Sequence, residues 1–288
     1  MSNFFINGRY FRWILFSNVG VFLFLQVALL ILFFLQNDAL VEEIEQGWFL
    51  SSYSNPGELL IRPWTVLTHM FTHVQFLHFL FNMMVLFFSG QLFQHHFGDR
   101  RLPDVYLLGG LSGFLLFFLV YNIFPVFNSV SSVVMGASAS VMAVLTASAV
   151  KDPKMKVRLI GVFEVEIIWV ALALVAMDLI SIRGGQNSGG HIGHIGGAIF
   201  GFIYTRYIFR SGKNMGWIDS LIGAISRLLK RNPKMKTVHR RPVSDEEFNT
   251  RRKENQKRVD LILDKISRGG YDSLTKEEKE FLFRNSQK

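Results

Sequence analysis

The sequence predicts an all-α polytopic membrane protein: six transmembrane helices in one bundle, followed by a cytoplasmic helical C-terminal tail. Three observations carry that expectation. Hydrophobic residues make up 50% of the 288 and charged residues only 18%, below the roughly one quarter of an ordinary soluble domain. Six apolar runs come close to the roughly 20 residues that a helix needs to cross a bilayer. The Lys and Arg residues of the short connections gather on one side of those runs, as they do in membrane proteins of fixed orientation.

The first run, 13–35, follows Arg9 and Arg12. It is longer than a signal-peptide core and lacks a small-x-small cleavage site, so it reads as a retained span. The connection from Gln36 to Thr68 is acidic around Glu42 to Glu45 and holds Pro56, Pro63, Trp48 and Trp64, a composition suited to a segment lying partly in the interface. The remaining runs are 72–94, 103–124, 133–150, 166–182 and 191–209. The run 133–150 is short, which places its serine-bearing start below the membrane surface, in a wet cavity lined by protein.

Arg9, Arg12, Arg100, Arg101, Lys151, Lys154, Lys156 and Arg158 fall on one side with the basic tail, and only Arg62 and Arg183 on the other. Both termini are therefore expected in the cytoplasm, and the location is expected to be a bacterial inner (plasma) membrane. The heads of the second, fourth and sixth spans then share the outer side. The expected organisation is a cytoplasmic N-terminus, 1–12, a membrane domain, 13–209, and a basic tail, 210–288. From Arg206 onward the chain carries 21 Lys and Arg against 11 Asp and Glu, which accounts for the net charge of +9. After six spans, such a tail fits a surface near anionic lipid better than a nucleic-acid site. Trp217, Ile218, Leu221, Ile222, Ile225, Leu228 and Leu229 recur at helical spacing beside basic residues, as in an interfacial helix. Farther on, Ser244 with Glu247 and Thr275 with Glu278 fit capping boxes, and Gly269-Gly270 marks a helix end; a helical hairpin is expected there. With no cysteine, the chain has no disulfide framework and no thiolate chemistry.

Polar residues inside a membrane are costly, so each invites a functional reading. In "THMFTHVQFLHFLFNMM", His78 and Asn82 are four apart and share a helix face. His69 and His73 have metal-ligand spacing, yet no carboxylate completes a set; they read as groups that order a loop, and no metal or cofactor is expected. The sixth span opens "GGHIGHIGGAIFGFIY", where His194, Gly197 and Gly201 form H-x-x-G-x-x-x-G. Its glycines permit close approach of another helix, and Ala139, Ala143 and Ala147 offer a matching face on the fourth span. The two helices are expected to pack nearly backbone to backbone, with Ser138 and His194 at their outer ends. A serine hydroxyl becomes nucleophilic when a base within hydrogen-bond reach takes its proton, and neutral His suits that task near pH 7. Asn82, His78 and backbone N–H groups at the fourth helix's start are placed to stabilise the resulting oxyanion.

The set "H-F-L-F-N", "G-A-S-A-S" and "H-I-G-G-A-I-F-G", each heading an alternate span, resembles the rhomboid intramembrane serine proteases over about Arg62 to Phe209. The resemblance implies a rhomboid-like six-helix bundle in which Ser138 is the nucleophile and His194 the base, a dyad with no third carboxylate. It implies an oxyanion hole of His78, Asn82 and the Ser138 N–H. It further implies cleavage of membrane-anchored proteins in or near a transmembrane helix, a lateral gate at the fifth span and a mobile cap at "RGGQNSGG". The implied partners are transmembrane protein substrates and the lipid bilayer, with no nucleic acid; the oligomeric state stays open. Asp178, in the fifth span, is read as a hydrogen-bonded packing residue, because the resemblance calls for no triad acid.

Some positions depart from the family pattern. Ala139 stands where Gly usually follows the nucleophile, and Met142 where many members carry a Tyr against the His ring. Thr65 replaces the Arg of a Trp-Arg pair beside Trp64, and Gln94 a common Glu. These departures keep open an alternative, a catalytically inactive rhomboid-like binder of membrane proteins. A transporter fits less well, since the polar residues cluster at one membrane face.

Overall fold

The computed structural model describes residues 8–46, 49–127, 130–159, 163–184, 187–210 and 244–286. The chain divides into two compact units, 1–229 and 230–288. In the first, α1 (Arg9–Phe34) leads into a connection built from α2 (Asp38–Glu45), β1 (Ser52–Tyr53), α3 (Pro56–Ile61) and α4 (Thr65–Thr68). There follow α5 (Phe76–Phe97), α6 (Leu102–Ile123), β2 (Val133–Val134) and α7 (Ser138–Lys151). The unit continues with β3 (Lys156–Leu159), β4 (Phe163–Glu166), α8 (Ile167–Ser181) and α9 (Ser188–Ile203), which runs on as a π-helical turn, Tyr204–Phe209.

Helices α1, α5, α6 and α8, the last two with their adjoining 3₁₀ turns, are long and apolar enough to cross a membrane, whereas α7 is a shorter apolar helix. Their outward faces are apolar: Phe24 and Phe33 of α1 and Trp169 and Ile180 of α8 are exposed, a surface that lipid would cover. The inner side is a continuous core in which Phe11, Met70, Leu86, Phe93, Tyr106 and Val144 are buried. Asn18 is fully buried in α1, a polar group that would be costly alone. Its amide donates to the Tyr106 hydroxyl and to the Ile14 carbonyl, and Tyr106 in turn donates to the Met70 carbonyl. This short chain of bonds ties α1 to α6 and to the turn before α5.

Observed helices start at positions other than the hydropathy edges where the backbone has another partner. The second span begins at Phe76 and not near residue 72, because His69–Phe71 is a 3₁₀ turn and the next residues form loop. The fourth begins at Ser138 and not at Val133, because Val133 and Val134 pair antiparallel with Tyr53 and Ser52. The sixth starts three residues earlier than its apolar run, at Ser188, whose hydroxyl donates to the Ile182 carbonyl. Between α7 and α8 stands a two-stranded hairpin, Lys156 opposite Glu166 and Arg158 opposite Glu164. Hydropathy does not reveal it, although Lys-Val-Arg-Leu and Phe-Glu-Val-Glu alternate with the period of a strand.

The centre of the bundle is α6, α7 and α9, held at backbone distance by small residues. A Cβ added to Gly197 would fall on the Ala139 carbonyl oxygen, and one added to Gly201 on that of Ala143. On the other side of α7, a Cβ on Gly109 would coincide with the Ala143 methyl. The serine and histidine at the heads of α7 and α9 are thereby brought to one place.

In the second unit, the helix Asp245–Gly269 starts with the Ser244 hydroxyl accepting from the Glu247 N–H, and it ends at Gly270, φ 74°. At the next helix, Lys276–Ser286, the Thr275 N–H donates to the Glu278 carboxylate and the Glu278 N–H to the Thr275 hydroxyl. The Thr275 N–H and then Lys265 hold that carboxyl below its usual range. The expected amphipathic helix around Trp217 to Leu229 lies outside the described residues.

Candidate active site

Ser138 is the first residue of α7, preceded by Gly136 and Ala137 in a tight bend. Gly136 has φ 117°, a region that residues with a Cβ rarely adopt, and a Cβ there would lie 2.8 Å from His78 Cε1. The bend is fixed by two bonds from the loop before α5. The Gly136 N–H donates to the His69 carbonyl at 2.8 Å, and the Ala137 N–H donates to His73 Nε2 at 3.1 Å. His69 is itself oriented by donating from Nδ1 to the Thr65 carbonyl. These two histidines thus order the loop that presents Ser138.

Ser138 and His194 line one small cavity together with His69, Gly113, Phe114, Met135, Ala139 and Gly193. Its volume is about 20 Å³, enough for a single water. Both side chains are half-buried. His78 and Asn82 stand beside this cavity and not among its lining residues. The His78 ring packs against Gly136 and meets the His73 ring edge to face, centroids 5.4 Å apart. The buried Asn82 donates from its amide to the His78 carbonyl one turn before it.

Ala139 is accommodated by a glycine on the facing helix. A Cβ on Gly113 would lie 2.5 Å from the Ala139 methyl, so the space that a glycine after Ser138 would leave open on α7 is left open here on α6. Met142 packs in a cluster with Leu145, Ile167, Ala171 and Ala198. Ser140 turns to α6, its hydroxyl against Gly110. Trp64 donates to the Phe49 carbonyl, and Gln94 to the Gly90 carbonyl; both support structure.

One feature of the site exceeds the packing role that sequence assigns to Asp178. The Asp178 carboxylate, on the last turn of α8, accepts at a single oxygen, Oδ1, from Nδ1 of His191 and from Nδ1 of His194, each at 2.8 Å. A buried carboxylate in an apolar helix is expensive unless donors surround it; the two imidazoles are those donors. The signal available in the sequence is the i,i+3 pair on α9, which shares a face, with an acid just before the short connection. These three groups also present ligand atoms within 4.8 Å of one another, a set able to hold a divalent metal, although the 2.8 Å contacts are hydrogen-bond distances at which the groups satisfy one another.

Comparison with known proteins adds to this geometry. A model of the Rhomboid domain matches residues 61–211, and the Family of unknown function (DUF6576) matches residues 244–288. The chain is 31% identical over 139 residues to presenilin-associated rhomboid-like protein A, mitochondrial, of Danio rerio, covering 48% of this chain and 35% of that protein. It is 26% identical over 145 residues to RHOMBOID-like protein 12, mitochondrial, of Arabidopsis thaliana, covering 46% and 43%. With presenilin-associated rhomboid-like protein, mitochondrial, of Mus musculus it shares 30% over 158 residues, 54% and 40% of the two chains. The matched region spans less than half the length of each of these relatives. The Rhomboid match takes in α5 to α9, the whole setting of Ser138 and His194, and the chain is accordingly an integral membrane protein that belongs to the rhomboid family.

Proposed function

We propose that this chain is an intramembrane serine endopeptidase that cleaves membrane proteins in or near a transmembrane segment. The observation that carries the reading is that one cavity is lined by both Ser138 and His194, at the heads of two helices packed backbone to backbone. In the proposed course, Ser138 Oγ attacks the peptide carbonyl as His194 takes its proton. His194 then gives that proton to the leaving amine, and water hydrolyses the acyl-enzyme by the same exchange. The Ser138 N–H points from the first turn of α7, where the helix dipole favours negative charge. With His78 and Asn82 it forms the proposed oxyanion hole, which requires the Asn82 amide to turn its second N–H to the substrate oxygen. The membrane domain is taken as 13–209 with six crossings, both termini in the cytoplasm of a bacterial inner membrane, and the tail as 210–288. The support for that orientation is the one-sided distribution of Lys and Arg.

The purified chain in proteoliposomes with a reporter bearing a transmembrane segment tests the reading. Product that disappears in Ser138→Ala and in His194→Ala supports it. A binder that does not cut is the second reading, favoured by Ala139; it predicts capture of the reporter without product. The opening left at Gly113 weakens the steric case for that second reading.

A further inference from the structure

Asp178 joins the end of α8 to the start of α9 in a way that packing does not require. Its one oxygen receives two N–H groups, from rings 5.9 Å apart and steeply inclined at 84°, so the two imidazoles reach the carboxylate from different directions. A neutral imidazole carries one N–H. Spending it at Nδ1 on Asp178 leaves His194 Nε2 with a free lone pair, and Nε2 is the atom a base needs on the side away from its orienting partner.

We propose that Asp178 is a positioning residue for the reaction, fixing His194 as the Nδ1–H tautomer with Nε2 free to accept the Ser138 proton, and that His191 holds Asp178 from a second direction. This rests on the protease reading above and adds a third member to its dyad. When the Ser138 proton passes to Nε2, the imidazolium keeps its Nδ1–H bond to Asp178, which stays ionised and stabilises the charge. When the proton leaves for the amine, the original state returns. Asp178 itself neither gains nor loses a proton. His191 contributes no proton either, and its part is to satisfy and anchor a carboxylate that would otherwise rotate away from His194.

The test is the reporter assay in proteoliposomes with three variants, read as kcat and KM separately beside the thermal midpoint of each. Asp178→Leu removes the acceptor while keeping volume; kcat falls about a hundredfold or more, the scale of losing an effective general base, while KM and the thermal midpoint change little. Asp178→Asn keeps an acceptor oxygen but no charge and falls between native and Leu. His191→Phe removes one of the two donors that hold Asp178 and loosens its bond to His194 without abolishing it, and costs less than about tenfold. Independently of turnover, ¹⁵N spectra of histidine-labelled Ser138→Ala protein, with His194 assigned by difference against His194→Gln, show a protonated Nδ1 and an unprotonated Nε2. That pattern is lost when Asp178→Leu is added. A kcat in Asp178→Leu within about threefold of native, a loss of activity that only tracks lost thermal stability, or a native His194 protonated at Nε2 overturns the proposal. Absence of turnover in the native chain is a different failure, that of the protease reading, and the tautomer measurement still decides the role of Asp178.

Discussion

Gly109 of α6 and Ala143 of α7 form a contact with no room for another atom: a Cβ added to Gly109 would coincide with the Ala143 methyl, while its next neighbours, the Cα atoms of Ala143 and Ser140, lie at 3.7 Å. The glycine and the alanine are therefore one unit of packing, interchangeable as a pair and not singly. Without a solvent-driven hydrophobic force between helices in lipid, fits of this kind supply much of the association.

A double-mutant cycle follows from that contact. Gly109→Ala alone overpacks the α6–α7 seam and lowers stability by about 1–3 kcal/mol. Combined with Ala143→Gly it recovers most of the loss, because the pair again holds one helical glycine and one alanine and the propensity cost at 143 is offset by the gain at 109. Thermal unfolding in detergent reads all four corners; additive losses would show that the two sites do not meet.

At Gly197 no such rescue exists. Its missing Cβ faces the Ala139 backbone carbonyl, which no side-chain truncation removes. Gly197→Ala pushes α9 from α7 next to the residue that follows Ser138, and a displacement near 1 Å costs on the order of a hundredfold in activity. Peptidase turnover is expected to fall by about that factor, with a stability loss at least as large as for Gly109→Ala. Unchanged turnover would contradict the packing of the two helix heads.

Acid should weaken the fold through the loop that presents Ser138. Burial pushes His69 down to about 4, against bonds to the Thr65 and Val66 backbones that act the other way. In the unfolded chain the ring protonates near 6.5. Between those values the unfolded state holds a proton that the folded state lacks, so stability is lost as pH falls from 6.5 toward 4. The slope is about 1.4 kcal/mol per pH unit for one proton. His73, pushed down to about 3 by burial and then by its neighbour His78, adds a second. His69→Asn, which keeps a donor for the Thr65 carbonyl, is expected to halve the dependence measured between pH 6.5 and 5. An unaltered slope would show that His69 is not the buried neutral group described.

Much of this arrangement is readable in the sequence. Apolar runs locate the long helices because their length is set by the bilayer, and the glycines of α9 with the alanines of α7 name their own interface, because only small residues at four-residue spacing allow such approach. The edges of α5 and α7 are not readable. Val133 and Val134 are as apolar as a helix turn, and their pairing with Ser52 and Tyr53 depends on a segment about 80 residues away in sequence. The hairpin Lys156–Glu166 is hidden for another reason: it lies among charges, where a search for apolar runs has no signal. Asp178 is visible but easily undervalued, since its worth comes from where the end of α8 meets the start of α9, and one-dimensional spacing does not give that angle.

Activation by His194 would make Ser138 reactive toward an electrophilic phosphonate. Exposure of the detergent-solubilised native chain to a fluorophosphonate probe, with the adduct mapped by mass spectrometry, reads that reactivity. A single adduct on Ser138 is expected, absent from Ser138→Ala and from His194→Ala. Labelling of Ser138→Ala to the native extent would contradict it.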